Sequence, residues 1–327
     1  MPPHSHHHSH SHSQHPHSQH QHGHGSHRHG HGLVSTEDSG SRLGWAFFLN
    51  LGFTIIEFIG GWLTNSTAIM ADAIHDLGDS LALGSGWLLY KLGKKAPTAH
   101  YTYGYRRLSL FGALLNCFIL IGGSVWILAE AIPRLSEPVM PLTEGMMALA
   151  VLGILVNGFA AYKLSGGKTL NERVLNWHLL EDVLGWVAVL LAALVMQFVD
   201  WPIIDPLLSI AFTLFILFNV LRNLRSTARL FFQAVPDAGL LAGIEQRLLA
   251  QSEVQEVHHL HLWSLDGEQH VLSAHLVVAL DDLRQYQQLK RRVEQQLVEF
   301  KLLNTTIEIE LAGEACRDHT HHGKPAH

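Results

Sequence analysis

The strongest constraint on this fold is a series of six apolar segments in the first two thirds of the chain. They lie at residues 43–63, 68–91, 108–130, 143–163, 175–199 and 203–222. Most of them have the ~20 residues that an α-helix needs to cross ~30 Å of hydrocarbon. Only 15% of the residues are charged, against about 25% in soluble domains. We therefore expect an α-helical membrane protein whose six transmembrane helices occupy residues 42–230 and contact the lipid bilayer.

Basic residues concentrate in alternate loops. They are Lys91, Lys94, Lys95, Arg106 and Arg107, then Lys163, Lys168 and Arg173, then Arg222, Arg225 and Arg229. The intervening loops at 64–67, 131–142 and 200–202 hold only Arg134. Since basic loops stay on the cytoplasmic side, both termini are expected in the cytoplasm, which fits an even number of spans. We expect this membrane to be a bacterial inner membrane.

Residues 1–41 have a different composition from the rest. Fourteen of the 26 histidines lie between His4 and His31, among Ser, Gly and Gln. Such a segment cannot bury enough apolar surface to fold, so we predict a disordered, His-rich cytoplasmic tail. The histidines are interspersed rather than in one run, which favours a natural metal-binding tail over an expression tag. The net charge of -6 argues against a nucleic-acid partner.

Residues 236–312 are predicted to form a small cytoplasmic α+β domain. An amphipathic helix at 237–251 precedes strands at 257–265 and 271–280, a helix at 283–300 and a strand at 305–311. This αββαβ order predicts an open, ferredoxin-like sandwich. Residues 313–327 follow as a short tail with four more histidines: His319, His321, His322 and His327.

Ionisable residues inside apolar segments are costly, so each is a hypothesis about function. They are Asp72, His75, Asp76 and Asp79 in the second segment, and His178, Glu181 and Asp182 in the fifth. Polar residues of other segments, namely Asn50, Glu57, Asn116 and Asn157, are predicted to form hydrogen bonds between helices.

Two of these segments share one spacing. His75 and Asp79 are four residues apart, and so are His178 and Asp182. Positions i and i+4 lie on one helix face, so two facing helices would offer two imidazole nitrogens and two carboxylates. Such a tetrahedral set suits Zn²⁺. The alternative is a pair of capping or ion-paired clusters, but no basic residue lies nearby to neutralise the carboxylates.

One geometric objection concerns depth. Counted at ~1.5 Å per residue, His75 lies ~10 Å from the outer end of its helix, whereas Asp182 lies ~25 Å from the outer end of its own. The pairs can meet only if the helices are offset, tilted or unequal in length.

Four stretches of the sequence resemble the zinc-transporting branch of the cation diffusion facilitator family. The residues that carry the resemblance are Glu57, Gly60, Gly61, Ser66, Ala68, Asp72, His75 and Asp79, then Asn176, His178, Asp182 and Gly185, then Asp205 and Pro206, and finally 257–263. The resemblance covers residues 43–311. It implies a homodimer in which His75, Asp79, His178 and Asp182 form the transport site and metal export is coupled to proton entry.

The expected function is therefore export of Zn²⁺ from the cytoplasm in exchange for H⁺. Ligation needs neutral His and ionised Asp, so one site can hold either the metal or protons. Export of Co²⁺, Ni²⁺ or Cd²⁺ and a passive metal channel remain alternatives. A membrane-anchored metal sensor is disfavoured, since one span would suffice for it. An enzyme is not expected; an intramembrane metalloprotease would want a His-Glu-x-x-His motif, which the sequence lacks.

The C-terminal domain carries its own histidines, namely His258, His259, His261, His270 and His275. Strand alternation places His259 and His261 on one face and His258 on the other. The family resemblance implies that His258, His275 and Glu310 hold a regulatory Zn²⁺, and Cys316, just past the last strand, could join them. The alternative is a set of ordinary surface histidines.

Overall fold

The computed structural model describes residues 37–93, 97–164, 170–280 and 282–318. The predicted tail up to residue 36, the basic residues Lys94, Lys95 and Lys168, and the histidines after residue 318 lie outside the described residues. The first described helix begins at Glu37, inside the segment for which we predicted disorder. That boundary came from composition, and a helix can start in a polar segment that has acidic residues at its N-terminus.

The described residues contain six long helices, in the order that the apolar segments predict. They are α1 (Glu37–Thr64), α2 (Thr67–Gly93), α3 (Leu108–Ala131), α4 (Thr143–Leu164), α5 (Leu170–Phe198) and α6 (Ile204–Phe231). Five of them, all but α2, are long and apolar enough to cross a membrane, as judged over the described ranges. In α2, the three carboxylates Asp72, Asp76 and Asp79 lower the hydropathy.

The helices pack mainly as the pairs α1–α2, α4–α5 and α3–α6. One apolar core joins Ala68 and Ile69 of α2 to Trp186 and Val189 of α5. The indole of Trp186 lies directly over Gly153 of α4, where any Cβ would collide with the ring. A second core joins α2, α3 and α6 through Ile74, Leu120 and Ile216, among others. The helix α2 therefore contributes to both cores, which fixes its position inside the bundle.

A small α/β domain follows the last long helix. Its elements are α7 (Ala238–Leu249), β1 (Val254–Ser264), β2 (His270–Val278), α8 (Leu283–Leu297) and β3 (Leu302–Leu311). The predicted αββαβ order is confirmed, although β1 and β3 each begin three residues earlier than we predicted. The strands form a sheet in the order β1-β2-β3, antiparallel between β1 and β2 and parallel between β2 and β3.

The core of this domain lies between the sheet and its two helices. Ile244 and Leu248 of α7 and Leu289 of α8 are buried against Leu272 and Leu276 of β2. Both helices begin at an aspartate whose carboxylate accepts a backbone N–H of the first turn: Asp237 from Leu240 and Asp282 from Gln285. Such N-caps contribute about 1 kcal/mol each. The apolar pattern of the sequence thus accounts for both the sheet and its two helices.

Candidate metal centre

The helices α2 and α5 bring the four predicted ligands of the membrane region together. Across the two helices, His178 Nε2 lies 2.8 Å from Asp79 Oδ2, and His75 Nε2 lies 3.8 Å from Asp182 Oδ1. Within each helix, the His Nε2 is 3.9 Å from the carboxylate four residues later. We call this group of His75, Asp79, His178 and Asp182 the quartet.

The dimensions of the quartet match those of a small tetrahedral site. Around Zn²⁺ with ligands at ~2.0 Å, neighbouring ligand atoms of a tetrahedron are ~3.3 Å apart. The contacts of 2.8 to 3.9 Å within the quartet fall on either side of that value. One ligand atom each from His75, His178 and Asp182 lies within 4.8 Å of the other two, and Asp79 contacts both imidazoles. Three of the four ligand atoms are thus grouped as around one point, and Asp79 lies beside both imidazoles.

The unequal depths of the two pairs do not keep them apart. The helix α5 packs along its length on α4, but it approaches α2 over a short stretch only. Two helices that cross at one level can bring together residues lying at different distances from their ends. The contacts between His75 and Asp182 and between Asp79 and His178 show that the two pairs do meet.

Amide side chains hold α2 at this level. From α1, Asn50 Nδ2 donates to the carbonyl of Asp76 (3.1 Å) and to Ser80 Oγ (3.0 Å). From α3, Asn116 Nδ2 donates to the carbonyl of Gly78 (3.0 Å). The predicted interhelical role of Asn50 and Asn116 is confirmed. By contrast, Asn157 Nδ2 and both carboxylate oxygens of Glu57 are buried without a hydrogen-bond partner among the described residues.

A second group of metal-ligating side chains lies in the α/β domain. His258 Nε2 is 3.1 Å from Glu310 Oε2, and His275 Nδ1 is 2.7 Å from Glu310 Oε1. Cys316 Sγ lies 3.5 Å from His275 Nδ1. One ligand atom from each of these four residues lies within 4.8 Å of the other three. We call this group the cytoplasmic cluster; the structure brings Cys316 beside the three residues that the resemblance implies.

A bulge in β1 makes our prediction about strand faces wrong. His259 has a left-handed backbone conformation, with φ of 47°, and the pairing with β2 shifts between His258 and His261. The rings of His258 and His259 consequently both lie near His275, with centroids 5.4 and 5.0 Å away. Strict alternation had placed His258 and His259 on opposite faces. A bulge adds one residue to one strand and so moves a side chain to the other face.

The cytoplasmic cluster has its own electrostatics. Burial raises the pKa of Glu310, but hydrogen bonds with Cys316 and His275 outweigh it, so the pKa lies below its ordinary value. Burial, together with the neighbouring Glu310, raises the pKa of the Cys316 thiol. The thiol is therefore protonated near neutral pH when no cation is present, and a metal bound there would have to displace that proton.

Comparison with protein families assigns both parts of the chain. Residues 44–232 match the cation efflux transmembrane domain, and residues 236–312 match the cation efflux protein cytoplasmic domain. The chain belongs to the cation efflux family. The sequence resemblance, which covered residues 43–311, is confirmed.

Three relatives of this cation efflux protein have names that describe metal transport or efflux. It is 32% identical, over 85% of its length and 95% of the relative, to a protein of Bacillus subtilis named cadmium, cobalt and zinc/H(+)-K(+) antiporter. It is 35% identical, over 74% and 78% of the two chains, to the zinc transporter ZitB of Escherichia coli. Over 80% and 83% it is 31% identical to the metal cation efflux system protein CzcD of Cupriavidus metallidurans.

Sequence reasoning assigned no role to one buried carboxylate of this family member, Asp205 of α6. Its Oδ2 accepts the backbone N–H of Thr67 (2.7 Å) and the Thr67 hydroxyl (2.8 Å). Its Oδ1 accepts the Ser66 hydroxyl and the N–H of Ala68. Asp205 thus caps the N-terminus of α2 from another helix, and it sets the height of His75 and Asp79. The sequence signal was an Asp among apolar residues, but its partners lie 137 to 139 positions away.

Proposed function

We propose that this cation efflux protein exports Zn²⁺ from the cytoplasm in exchange for protons. The quartet is the observation that supports this function best: two imidazoles and two carboxylates converge between two helices within reach of a single ion. A carboxylate pair inside an apolar bundle needs a counter-charge. A divalent cation supplies it.

The choice of metal follows from the donor atoms. Two nitrogen and two carboxylate ligands in a tetrahedral arrangement suit Zn²⁺, whereas Mg²⁺ and Mn²⁺ prefer sites richer in oxygen. Two of the relatives have names that include zinc, which supports the same choice. Imidazole also binds Co²⁺, Ni²⁺ and Cd²⁺, and the name of the B. subtilis relative includes cadmium and cobalt. Export of these ions is the second candidate.

Exchange for protons follows from the acid–base chemistry of the same ligands. His binds metal only when neutral, so each metal ion that arrives at working pH displaces protons that the site held. If the helices rock around a fixed quartet, the site faces each side of the membrane in turn. Metal is then loaded from the cytoplasm and protons from the other side.

We further propose that residues 42–230 cross a bacterial inner membrane six times, with both termini in the cytoplasm. Among the six long helices of the described residues, α2 alone is not apolar enough by itself to be identified as a membrane span. Its carboxylates Asp72 and Asp76 are buried by neighbouring helices, so they do not meet lipid. A helix enclosed in this way can span the bilayer despite its charges. The basic loops support this orientation.

The cytoplasmic domain at residues 236–312 completes the proposal. We assign it two roles, assembly of a homodimer and binding of a regulatory Zn²⁺ by His258, His275 and Glu310 in the cytoplasmic cluster. Cys316 is the fourth donor. The fit is chemical as well as geometric, because nitrogen, carboxylate and thiolate ligands are all ones that structural zinc sites use. Bound metal would link the sheet to the segment after β3.

The decisive experiment is Zn²⁺ uptake into inside-out vesicles with an imposed pH gradient. Wild type should accumulate Zn²⁺ when the vesicle interior is acidic, and Asp182→Ala should not. The neighbouring Glu181→Gln, which alters an exposed residue on the same helix turn, should transport normally. Uptake that ignores the pH gradient would remove the antiport and favour a passive channel. Equal uptake by Asp182→Ala would remove the quartet as the site.

A further inference from the structure

One buried acidic residue has no place in the mechanism above. Glu57 lies in the C-terminal half of α1 and is 0% exposed. Neither of its carboxylate oxygens has a hydrogen-bond donor among the residues that the structure describes. An ionised carboxylate in such a position costs several kcal/mol, and ordinary interhelical hydrogen bonding, which we had predicted for Glu57, does not offset that cost.

The groups that face Glu57 add to this cost. From α2 they are Asp76 and Asp72, and from α5 Asp182. The helix α4, on another side of α1, contributes apolar residues such as Leu149. Helices α1 and α2 are in contact on both sides of Glu57, since Thr54 Oγ1 lies 3.4 Å from Ser80 Oγ and Gly61 packs on Met70. A fully buried carboxyl group that accepts no hydrogen bond is more stable protonated than ionised.

We propose that Glu57 is a proton-binding site of the transporter, and that its proton is one of those exchanged for the metal. This inference rests on the antiport proposed above. In the conformation described here Glu57 is a neutral, protonated acid. The proton bound at Glu57 and the metal ion bound at the quartet then compete, although they occupy different side chains.

The competition is electrostatic. A divalent cation at the quartet stabilises negative charge on nearby carboxylates, so it favours release of the proton from Glu57. The linkage is reciprocal: a proton on Glu57 removes a negative charge near the quartet and weakens metal binding by the same factor. For each metal ion that binds, one proton leaves the Glu57 carboxyl group, and the carboxylate keeps the electron pair of the O–H bond. Because Glu57 is fully enclosed, release has to await the opening of the bundle.

A purely structural role for Glu57 and a role in proton transport predict different outcomes for Glu57→Gln. Glu57→Gln keeps the size of the side chain and a neutral, polar end, but it cannot release a proton. If Glu57 only packs or donates a hydrogen bond, this variant should behave as wild type. If Glu57 carries a transported proton, the variant should move zinc with fewer protons.

The test uses the full-length protein in proteoliposomes, with a zinc-sensitive dye and a pH-sensitive dye inside. An imposed Zn²⁺ gradient drives transport, and the ratio of proton flux to zinc flux is measured. We expect Glu57→Gln to lower this ratio by about one proton per ion, while Glu57→Asp keeps the wild-type ratio. Glu144→Gln, at the exposed start of α4, is the matched control and should change nothing.

Two results overturn the assignment. A wild-type ratio in Glu57→Gln shows that Glu57 carries no transported proton. A wild type that moves Zn²⁺ without protons rules out the antiport, and the Glu57 proposal with it. The wild type distinguishes the two failures: in the first it exchanges protons for Zn²⁺, and in the second it does not.

A second measurement covers the case in which Glu57→Gln does not reach the membrane. Dicyclohexylcarbodiimide modifies protonated carboxyl groups in apolar surroundings. In wild type we expect modification at Glu57, located by peptide mass spectrometry, and protection by saturating Zn²⁺. Modification at Glu57 that saturating Zn²⁺ does not reduce contradicts the proposal.

Discussion

The quartet and the cytoplasmic cluster use similar donors in different settings. Side-chain exposure in the quartet rises from 11% for Asp182 to 32% for Asp79, whereas the side chains of His275 and Glu310 are 7% and 6% exposed. The quartet also comes from two helices, while the cluster draws on three strands and the segment after β3. A site that ions must enter and leave needs an opening, whereas a site for a resident ion is closed. The burial of His275 and Glu310 fits the proposed regulatory site, and the greater exposure of Asp79 fits the proposed cargo site, whereas His258, at 22% exposed, resembles the quartet.

The largest expected effect tests the cargo side of this comparison. Asp79 contacts both imidazoles of the quartet, so Asp79→Asn removes a ligand charge at its centre. Loss of an outer-shell group costs about 10- to 100-fold in metal affinity, and loss of a ligand should reduce zinc export at least that far. Zinc uptake into vesicles is the measurement. Export that stays near the wild-type rate would show that the ion crosses elsewhere.

This site could be predicted from the sequence because helical geometry is local. The spacing of His75 and Asp79 fixes a common face without any knowledge of the fold, and its repetition at His178 and Asp182 indicates a partner helix. What the sequence could not supply was the level at which the helices cross. That level depends on packing of α5 on α4 and on the cap that Asp205 provides, both of which are contacts distant in sequence.

The next effect concerns that cap. Asp205→Asn keeps one acceptor but leaves a donor of the Ser66–Ala68 turn unpaired, which costs about 1–3 kcal/mol. Because the position of α2 along its axis is then less well fixed relative to α5, we expect the KM for zinc to rise roughly tenfold, with a smaller change in maximal rate. Ser209→Ala, which removes a neutral hydrogen bond from α6 to the Thr67 carbonyl, should have a weaker effect. Similar KM values for Asp205→Asn and wild type would show that the cap only supports folding.

A third prediction tests the cytoplasmic cluster, the proposed site of a resident ion. If Cys316 is a ligand of the cytoplasmic cluster, Co²⁺ bound to the full-length protein should show a thiolate-to-cobalt charge-transfer band in the near ultraviolet. Cys316→Ser should abolish the band and lower the affinity of the cluster by at least about tenfold. Zinc export at saturating concentration should change little. The other cysteine, Cys117, is buried in α3, so Cys117→Ala should keep the band; a band that survives Cys316→Ser contradicts the assignment.

The cluster was harder to predict because strands and loops lack a fixed spacing between ligands. His258 and His275 pair across β1 and β2, which no local pattern specifies. The bulge at His259 reverses the alternation on which our assignment of faces depended. Cys316 lies beyond the last strand, and only the path of the chain after Leu311 brings it to His275.

The smallest effect tests whether the cluster and the sheet that carries it can be perturbed separately. Arg292 of α8 pairs with Glu253, just before β1. Hydrogen bonds from Ser252 and then Arg292 lower the pKa of Glu253. A carboxylate whose pKa is lower in the folded state stabilises the fold above its unfolded pKa of about 4.3, and this contribution disappears as pH falls through the folded value. Arg292→Gln should therefore destabilise the domain at pH 7 by less than about 1 kcal/mol, and the effect should shrink as the pH falls below the unfolded pKa of about 4.3.

Amide hydrogen exchange in β1 of the full-length protein, followed by mass spectrometry, can measure so small a change. Lys290→Gln, an exposed change on the same helix, is the control. The cobalt band should keep its intensity in Arg292→Gln, because Arg292 contacts Gln251 and Glu253 rather than the cluster. A weaker band would mean that metal binding depends on the stability of the whole sheet, and the cluster would then sense folding as well as metal.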